Sequence, residues 1–151
     1  MTNVSEFDFK EEIARAEFFV SYTAMPDEVL FEPALWKNPP PKVFLVPNDY
    51  MVSPEDIAEK ILEKTEGLWG AVFMPGQAFD EKGTRHGRGK GWYDRFLKQI
   101  PRGWLRVGVS TEKSFSSTDL VRKSWDEPVD WVLVKTNDGW GLYKTGARDI
   151  L

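Results

Sequence analysis

The sequence predicts an α/β sandwich built on a mainly parallel sheet, and three observations carry that prediction. Short apolar runs rich in β-branched and aromatic residues recur along the chain, at 18–22, 42–47, 71–74, 105–109 and 129–134. Stretches with apolar residues at helical spacing precede the first run, at 7–15, or fall between later ones, at 54–64 and 92–98, and this alternation is the pattern of strands joined by covering helices. A glycine-rich loop leads from the run at 71–74 into a helix, and in such sheets ligands bind beyond the carboxyl ends of the strands.

The elements follow in order. Residues 7–15 predict a short helix on Phe9, Ile13 and Ala14, with Ser5 as N-cap. Phe18-Phe19-Val20-Ser21-Tyr22 is the first strand. Asp27 is placed to cap a helix from Glu28 to about Trp36, with Leu30, Phe31 and Leu35 inward, which Asn38-Pro39-Pro40-Pro41 ends. Lys42 to Pro47 is the second strand, apolar as expected when both faces are covered. Ser53-Pro54-Glu55 starts a helix: serine caps, proline takes the first helical position, and acidic residues meet the helix dipole. Ala71 to Met74 is a buried strand that Pro75-Gly76 stops, and Phe79-Asp80 with Gly83 forms a second turn. A helix over Trp92–Lys98 and a strand over Leu105–Val109 follow, then a short helix from Thr118 or Asp119. The strand Val129–Val134 and a closing hairpin through Asn137-Asp138-Gly139 to Trp140–Tyr143 complete the chain.

Length and composition narrow the class. With 151 residues the chain is read as a single domain, 1–151, able to bury a core, and its 41% apolar content is that of a globular protein. A formal charge of −4 gives no general attraction to nucleic acid or an anionic membrane. The absence of cysteine excludes disulfides, thiol nucleophiles and zinc–thiolate sites. No apolar run approaches membrane-spanning length and the first residues lack a leader's pattern, so the expected location is cytoplasmic.

The chemistry concentrates in Arg85-His86-Gly87-Arg88-Gly89-Lys90-Gly91. Glycines alternating with basic side chains let the backbone approach an anion while cations neutralise it, and the helix that follows offers unpaired N–H groups and a favourable dipole. On its glycines alone the loop also reads as a flexible segment kept soluble by charge. Arg85, Arg88 and Lys90 are the phosphate-neutralising candidates, although Arg85 has Asp80 across the turn as an alternative partner. Asp94 is placed for a metal-bound phosphate. Asp126, just ahead of a strand, is the second carboxylate of that kind or simply a turn residue, and Asp130 reads as a structural hydrogen-bonding group. His86, the one histidine, has no second imidazole to share a metal and counts as a neighbour of the site.

The whole string Pro75-Gly76-x-Ala78-Phe79-Asp80-x-x-Gly83-x-Arg85-x-Gly87-x-Gly89-x-Gly91-x-Tyr93-Asp94 closely resembles the signature of the 5-formyltetrahydrofolate cyclo-ligase family, with His86 and Trp92 departing from the usual leucine and tyrosine. Asp126 to Asp130 resembles the family's second motif, with Trp125 where histidine or asparagine is usual, and Asp27-Glu28-Val29 resembles a segment whose glutamate lies near the folate.

The resemblance implies a three-layer sandwich and an ATP- and magnesium-dependent ligase of one-carbon metabolism that converts 5-formyltetrahydrofolate to 5,10-methenyltetrahydrofolate. It implies that Arg85, Gly87, Arg88, Gly89, Lys90, Gly91, Trp92 and Tyr93 hold ATP, with Arg88 and Lys90 as the catalytic cations. It further implies that Asp94 and Asp126 hold magnesium, and that Glu28, Trp92 and Tyr93 face the reduced folate. On spacing alone, Glu28 reads first as a charge in a helix's first turn, and Tyr93 as an aromatic packed at a helix start. The family's long basic N-terminal helix and its longer segment before the Pro-Gly motif have no counterpart here, so a family-fold module that binds a nucleotide, folate or other phosphorylated small molecule without cyclising it is the alternative.

Overall fold

The computed structural model describes residues 3–31, 40, 42–89 and 91–147, with the side chains of residues 3–7 excepted. Its centre is a six-stranded sheet in the order β2-β1-β3-β6-β8-β9. These strands are β1 (Phe18–Tyr22), β2 (Lys42–Val46), β3 (Gly70–Pro75), β6 (Leu105–Thr111), β8 (Trp131–Thr136) and β9 (Gly139–Lys144). All pairs are parallel except the closing hairpin, β8 with β9. A smaller three-stranded sheet of β4 (Ala78–Asp80), β5 (Arg85–His86) and β7 (Phe115–Ser116) lies beside it.

Helices cover both faces because the strands alternate apolar side chains to both. Phe18, Val20, Val72, Met74, Val132 and Val134 meet α2 (Pro54–Lys64) and α3 (Trp92–Gln99) in one core, with Ile61, Phe96 and Leu97 among the helical contributions. Phe19, Phe73, Val107, Trp131 and Leu133 form the other core with Phe9 and Ile13 of α1 (Asn3–Ala14). Phe9 stands edge-on to Trp131 with ring centroids 5.2 Å apart. The three layers and the mainly parallel sheet are those the sequence predicts.

α2 starts where its sequence says: Ser53 Oγ accepts from Asp56 N–H at 3.2 Å, and Pro54 begins the helix. Other expectations are corrected. Helix α1 already runs from Asn3, so Ser5 lies inside it and is not its cap. The start of the helix expected from Glu28 is instead a turn closed by Glu28 N–H to the Met25 carbonyl at 2.9 Å; residues 32–39 lie outside the described residues. β2 is an edge strand with Leu45 64% exposed, because an apolar run records burial tendency but not a strand's place in the sheet. Phe79-Asp80 is not itself a turn but the strand β4, and the tight turn follows it. The buried Asp80 carboxylate organises that turn, accepting N–H groups from Lys82 (3.0 Å), Thr84 (2.9 Å) and Leu120 (2.8 Å). Residues 118–120 form no helix where a short one was expected, and Leu120 N–H is instead taken by Asp80.

The strand order locates the functional end. From β1 the chain passes to β2 on one side and then to β3 on the other, so the loops after β1 and β3 diverge at a topological switch point. The glycine-rich loop is the one after β3.

Candidate functional site

A cavity of about 450 Å³ opens at this end of the sheet. Its walls are the loop after β2 (Tyr50), the glycine loop (Arg85 to Gly91), the start of α3 (Trp92, Tyr93, Asp94) and the segment from Val121 to Asp126.

Arg85 is its deepest cation, only 6% exposed. Its Nε donates to the Pro75 carbonyl at 2.6 Å, and its guanidinium carbon lies 4.7 Å from the centre of the Tyr93 ring. Among the described residues neither terminal nitrogen has a hydrogen-bond partner, although burial without water is costly for such groups and pushes the pKa of Arg85 down. Asp80 is not its partner: that carboxylate accepts two backbone N–H groups of the turn, from Lys82 and Thr84, and a third from Leu120. Gly87 exists for this arginine: a Cβ there would stand 2.9 Å from Arg85 Nη1. Gly91 then caps α3 in the left-handed region (φ 66°) without any side chain, leaving the first N–H groups of the helix uncapped. A buried guanidinium and a bare helix N-terminus facing one cleft make an anion cradle.

Arg88 is placed differently from expectation. Its guanidinium turns to the loop after β1, where it meets Asp27 Oδ1 and donates to Glu28 Oε2 at 3.2 Å. These carboxylates, Asp27 first, raise its pKa further. Glu28 is 5% exposed at its side chain and is also fixed by Met25 N–H to its Oε1 at 2.8 Å. The glycine loop and the loop after β1 are therefore tied across the switch point. Lys90 lies outside the described residues.

The two candidate metal carboxylates both line the cavity. Asp94 Oδ1 accepts from Glu127 N–H at 3.0 Å, and Asp126 Oδ2 accepts from Lys123 N–H at 2.8 Å. One oxygen of each is thus anchored by backbone, and the other has no hydrogen-bond partner among the described residues. Burial raises the Asp94 pKa, and the nearby carboxylates of Asp126 and Glu127 add to this against the opposing Glu127 N–H and Arg85. Among the described residues no group of three or more acidic or imidazole side chains converges. Two carboxylates beside an anion cradle fit magnesium held largely by phosphate oxygens and water, and do not fit an all-protein metal cage.

Trp92 and Tyr93 are packed rather than free. Trp92 donates Nε1–H to the Val52 carbonyl at 2.7 Å and stacks on Phe96, while burial raises the Tyr93 pKa. His86 Nε2 lies 2.7 Å from the Val121 carbonyl and pins the cavity's outer wall. Sequence reasoning missed Tyr50, whose position beyond the carboxyl end of β2 was the available signal. It also missed Val121 and Lys123, which no sequence signal marks. Asp130 is structural: its Oδ2 accepts from Arg106 N–H at 2.9 Å.

The fold and cavity together define an α/β protein with a cleft, lined by a buried guanidinium and a helix N-terminus, at a switch point of a parallel sheet. The model of the 5-formyltetrahydrofolate cyclo-ligase family matches residues 46–135, and the chain belongs to that family. Cyclo-ligases similar to it come from Mus musculus (50% identical over 44 residues, 29% of this chain and 21% of that one) and Mycoplasma genitalium (27% over 90 residues, 60% and 46%). A third, from Mycoplasma pneumoniae, is 33% identical over 60 residues, 40% of this chain and 35% of that one. The matched region thus spans less than half the length of each of these relatives. A solved 5,10-methenyltetrahydrofolate synthetase from Mycoplasma pneumoniae superimposes with a TM-score of 0.54 at 17% identity, covering 87% of this chain and 88% of that one, a likeness of fold. Among the described residues no helix is long and apolar enough to cross a membrane.

Proposed function

We propose that the chain, as one domain, catalyses the ATP- and magnesium-dependent conversion of 5-formyltetrahydrofolate to 5,10-methenyltetrahydrofolate. The observation that carries this reading is the buried Arg85, its terminal nitrogens unpaired among the described residues, facing the cleft beside the uncapped start of α3. In the proposed reaction the formyl oxygen attacks the γ-phosphorus of ATP and ADP leaves. N10 of the folate then attacks the activated formyl carbon, N10 loses its proton, and the C–O bond breaks to release phosphate. Arg85, Gly87, Gly89, Gly91 and the first N–H groups of α3 cradle the transferring phosphoryl group, with Arg88 and Lys90 as the further cations at its edge. Positioning and charge neutralisation supply most of the rate in such a transfer, so no nucleophilic side chain is required. Asp94 and Asp126 would hold magnesium through their free oxygens, and the ion would offset charge on the phosphates. Glu28, held by Arg88 and Met25 N–H, is the acceptor for a donor on the pterin, near Trp92 and Tyr93.

A second reading, a module that binds a phosphorylated small molecule without cyclising it, is favoured by the capture of Arg88 on Asp27 and Glu28, which neutralises that cation at the cleft wall. Mixing the protein with 5-formyltetrahydrofolate, ATP and magnesium and following methenyltetrahydrofolate by absorbance separates the two. Product from wild type and not from Asp94→Asn supports the enzyme. No product, with ATP still raising Tm, refutes the enzyme and leaves the module.

A further inference from the structure

The second residue of β6 is an arginine in an otherwise small or apolar strand, and Arg106 is 1% exposed. Its side chain lies on the α3 side of the sheet. Nη2 donates to the Leu97 carbonyl in the last turn of α3 at 3.1 Å, and Nη1 donates to Glu127 Oε1 at 3.2 Å. The backbone of Arg106 is held as firmly: its N–H donates to Asp130 Oδ2 at 2.9 Å, and its carbonyl accepts from Asp130 N–H at 2.8 Å. Arg102 Nη1 comes within 3.7 Å of Asp130 Oδ1.

A guanidinium here is a poor choice for stability alone. Enclosing it costs solvation that an apolar side chain of similar volume would not lose, and its Nε has no hydrogen-bond partner. What the charge does achieve is a link between two elements that are distant in sequence. It grips α3 at Leu97, one turn after Asp94, and it holds the carboxylate of Glu127, whose own N–H fixes Asp94 Oδ1 at 3.0 Å. Asp126 is the adjacent residue. The two carboxylates facing the cleft thus ride on elements whose spacing is set from beneath by one side chain.

We propose that Arg106 is a positioning residue for the divalent-cation site: by holding Glu127 and the end of α3 it sets the separation of the Asp94 and Asp126 carboxylates. This rests on the metal reading of those two residues. Loss of an outer partner of a metal ligand typically weakens metal binding by about 10- to 100-fold.

The test is Mn²⁺ binding in the presence of ATP, followed by the electron paramagnetic resonance signal of free Mn²⁺, for wild type, Arg106→Met, Arg106→Lys, Glu127→Ala and the Arg106→Met/Glu127→Ala double variant. Arg106→Met is expected to raise the Kd for Mn²⁺ about tenfold while leaving metal-free ATP affinity unchanged, with Arg106→Lys recovering part of the loss. In the Glu127→Ala background the Arg106 substitution should add nothing further, because both act along one path. A folded Arg106→Met that binds Mn²⁺ as wild type does, or effects that simply add, overturns the proposal. If Arg106→Met does not fold, Glu127→Ala alone decides, since unchanged Mn²⁺ affinity in that variant breaks the link. Absence of Mn²⁺ binding by wild type would overturn the metal reading itself, a result distinct from any variant's behaviour.

Discussion

Replacing Arg85 with methionine separates ligand binding from stability. Methionine keeps much of the aliphatic volume and removes the charge. On the stability side, the Pro75 carbonyl loses its 2.6 Å donor, a loss of about 1–3 kcal/mol, and the contact with Tyr93 at 4.7 Å loses about 0.5–2 kcal/mol. Against this, a guanidinium is no longer taken out of water, a cost of similar or larger size. The two sides nearly cancel, so stability should change by no more than about 1 kcal/mol in either direction, or about 2–4 °C in Tm for a chain of this length. Ligand binding has no such compensation. The terminal nitrogens are left for the anion, and two charge-assisted hydrogen bonds at about 1.5 kcal/mol each correspond to a loss of affinity of roughly 100-fold. Isothermal titration with inorganic tripolyphosphate and with ATP reads this directly, and Arg85→Lys, which keeps the charge but loses the fork, should fall between. A folded Arg85→Met binding tripolyphosphate within a factor of about three of wild type would refute the anion-cradle argument, since one lost bond alone predicts more.

Three further outcomes follow from the same geometry. Gly87→Ala adds a Cβ 2.9 Å from Arg85 Nη1 without demanding an unusual backbone angle, so tripolyphosphate affinity should fall at least several-fold by titration while Tm changes little. Phe9→Ala empties a fully buried site against Trp131 and should cost about 3–5 kcal/mol in urea unfolding; a loss below about 1 kcal/mol would mean α1 is not docked as described. The Glu55–Arg95 pair joins α2 to α3 at 3.0 and 2.5 Å, and the arginine holds the Glu55 pKa below the usual carboxylate range. A depressed folded-state pKa means that its stabilisation is complete above the ordinary glutamate value and is lost as pH falls through the lowered one. Glu55→Gln should therefore lower Tm slightly at pH 7 and not at pH 3, and because the pair is exposed, added salt should erase the difference.

The local elements were largely legible in advance. Ser53-Pro54 marks the start of α2 because capping is a matter of adjacent residues, and Phe18–Tyr22 is a strand by its own composition. The glycine loop, the strand before it and the helix after it were likewise plain. Less was visible where distant residues decide. The edge position of β2, with Leu45 in solvent, depends on which strands pair and not on the run itself. The irregular path at 118–120 is tied by Leu120 N–H to Asp80, forty residues earlier in the chain.

The candidate site divides the same way. The sequence by itself singled out the residues proposed to carry its chemistry: the alternating glycines and cations, Asp94, Asp126 and Glu28 are all picked out by motif order. Tertiary structure decided what each side chain faces. It paired Arg88 with Asp27 and Glu28, left Arg85 as the most deeply buried cation lining the cleft among the described residues, and put the buried Arg106 against Glu127 and the last turn of α3. The physical reason is that composition and spacing record local preference, whereas the partner of a charge depends on which loops a parallel sheet brings together at its carboxyl ends.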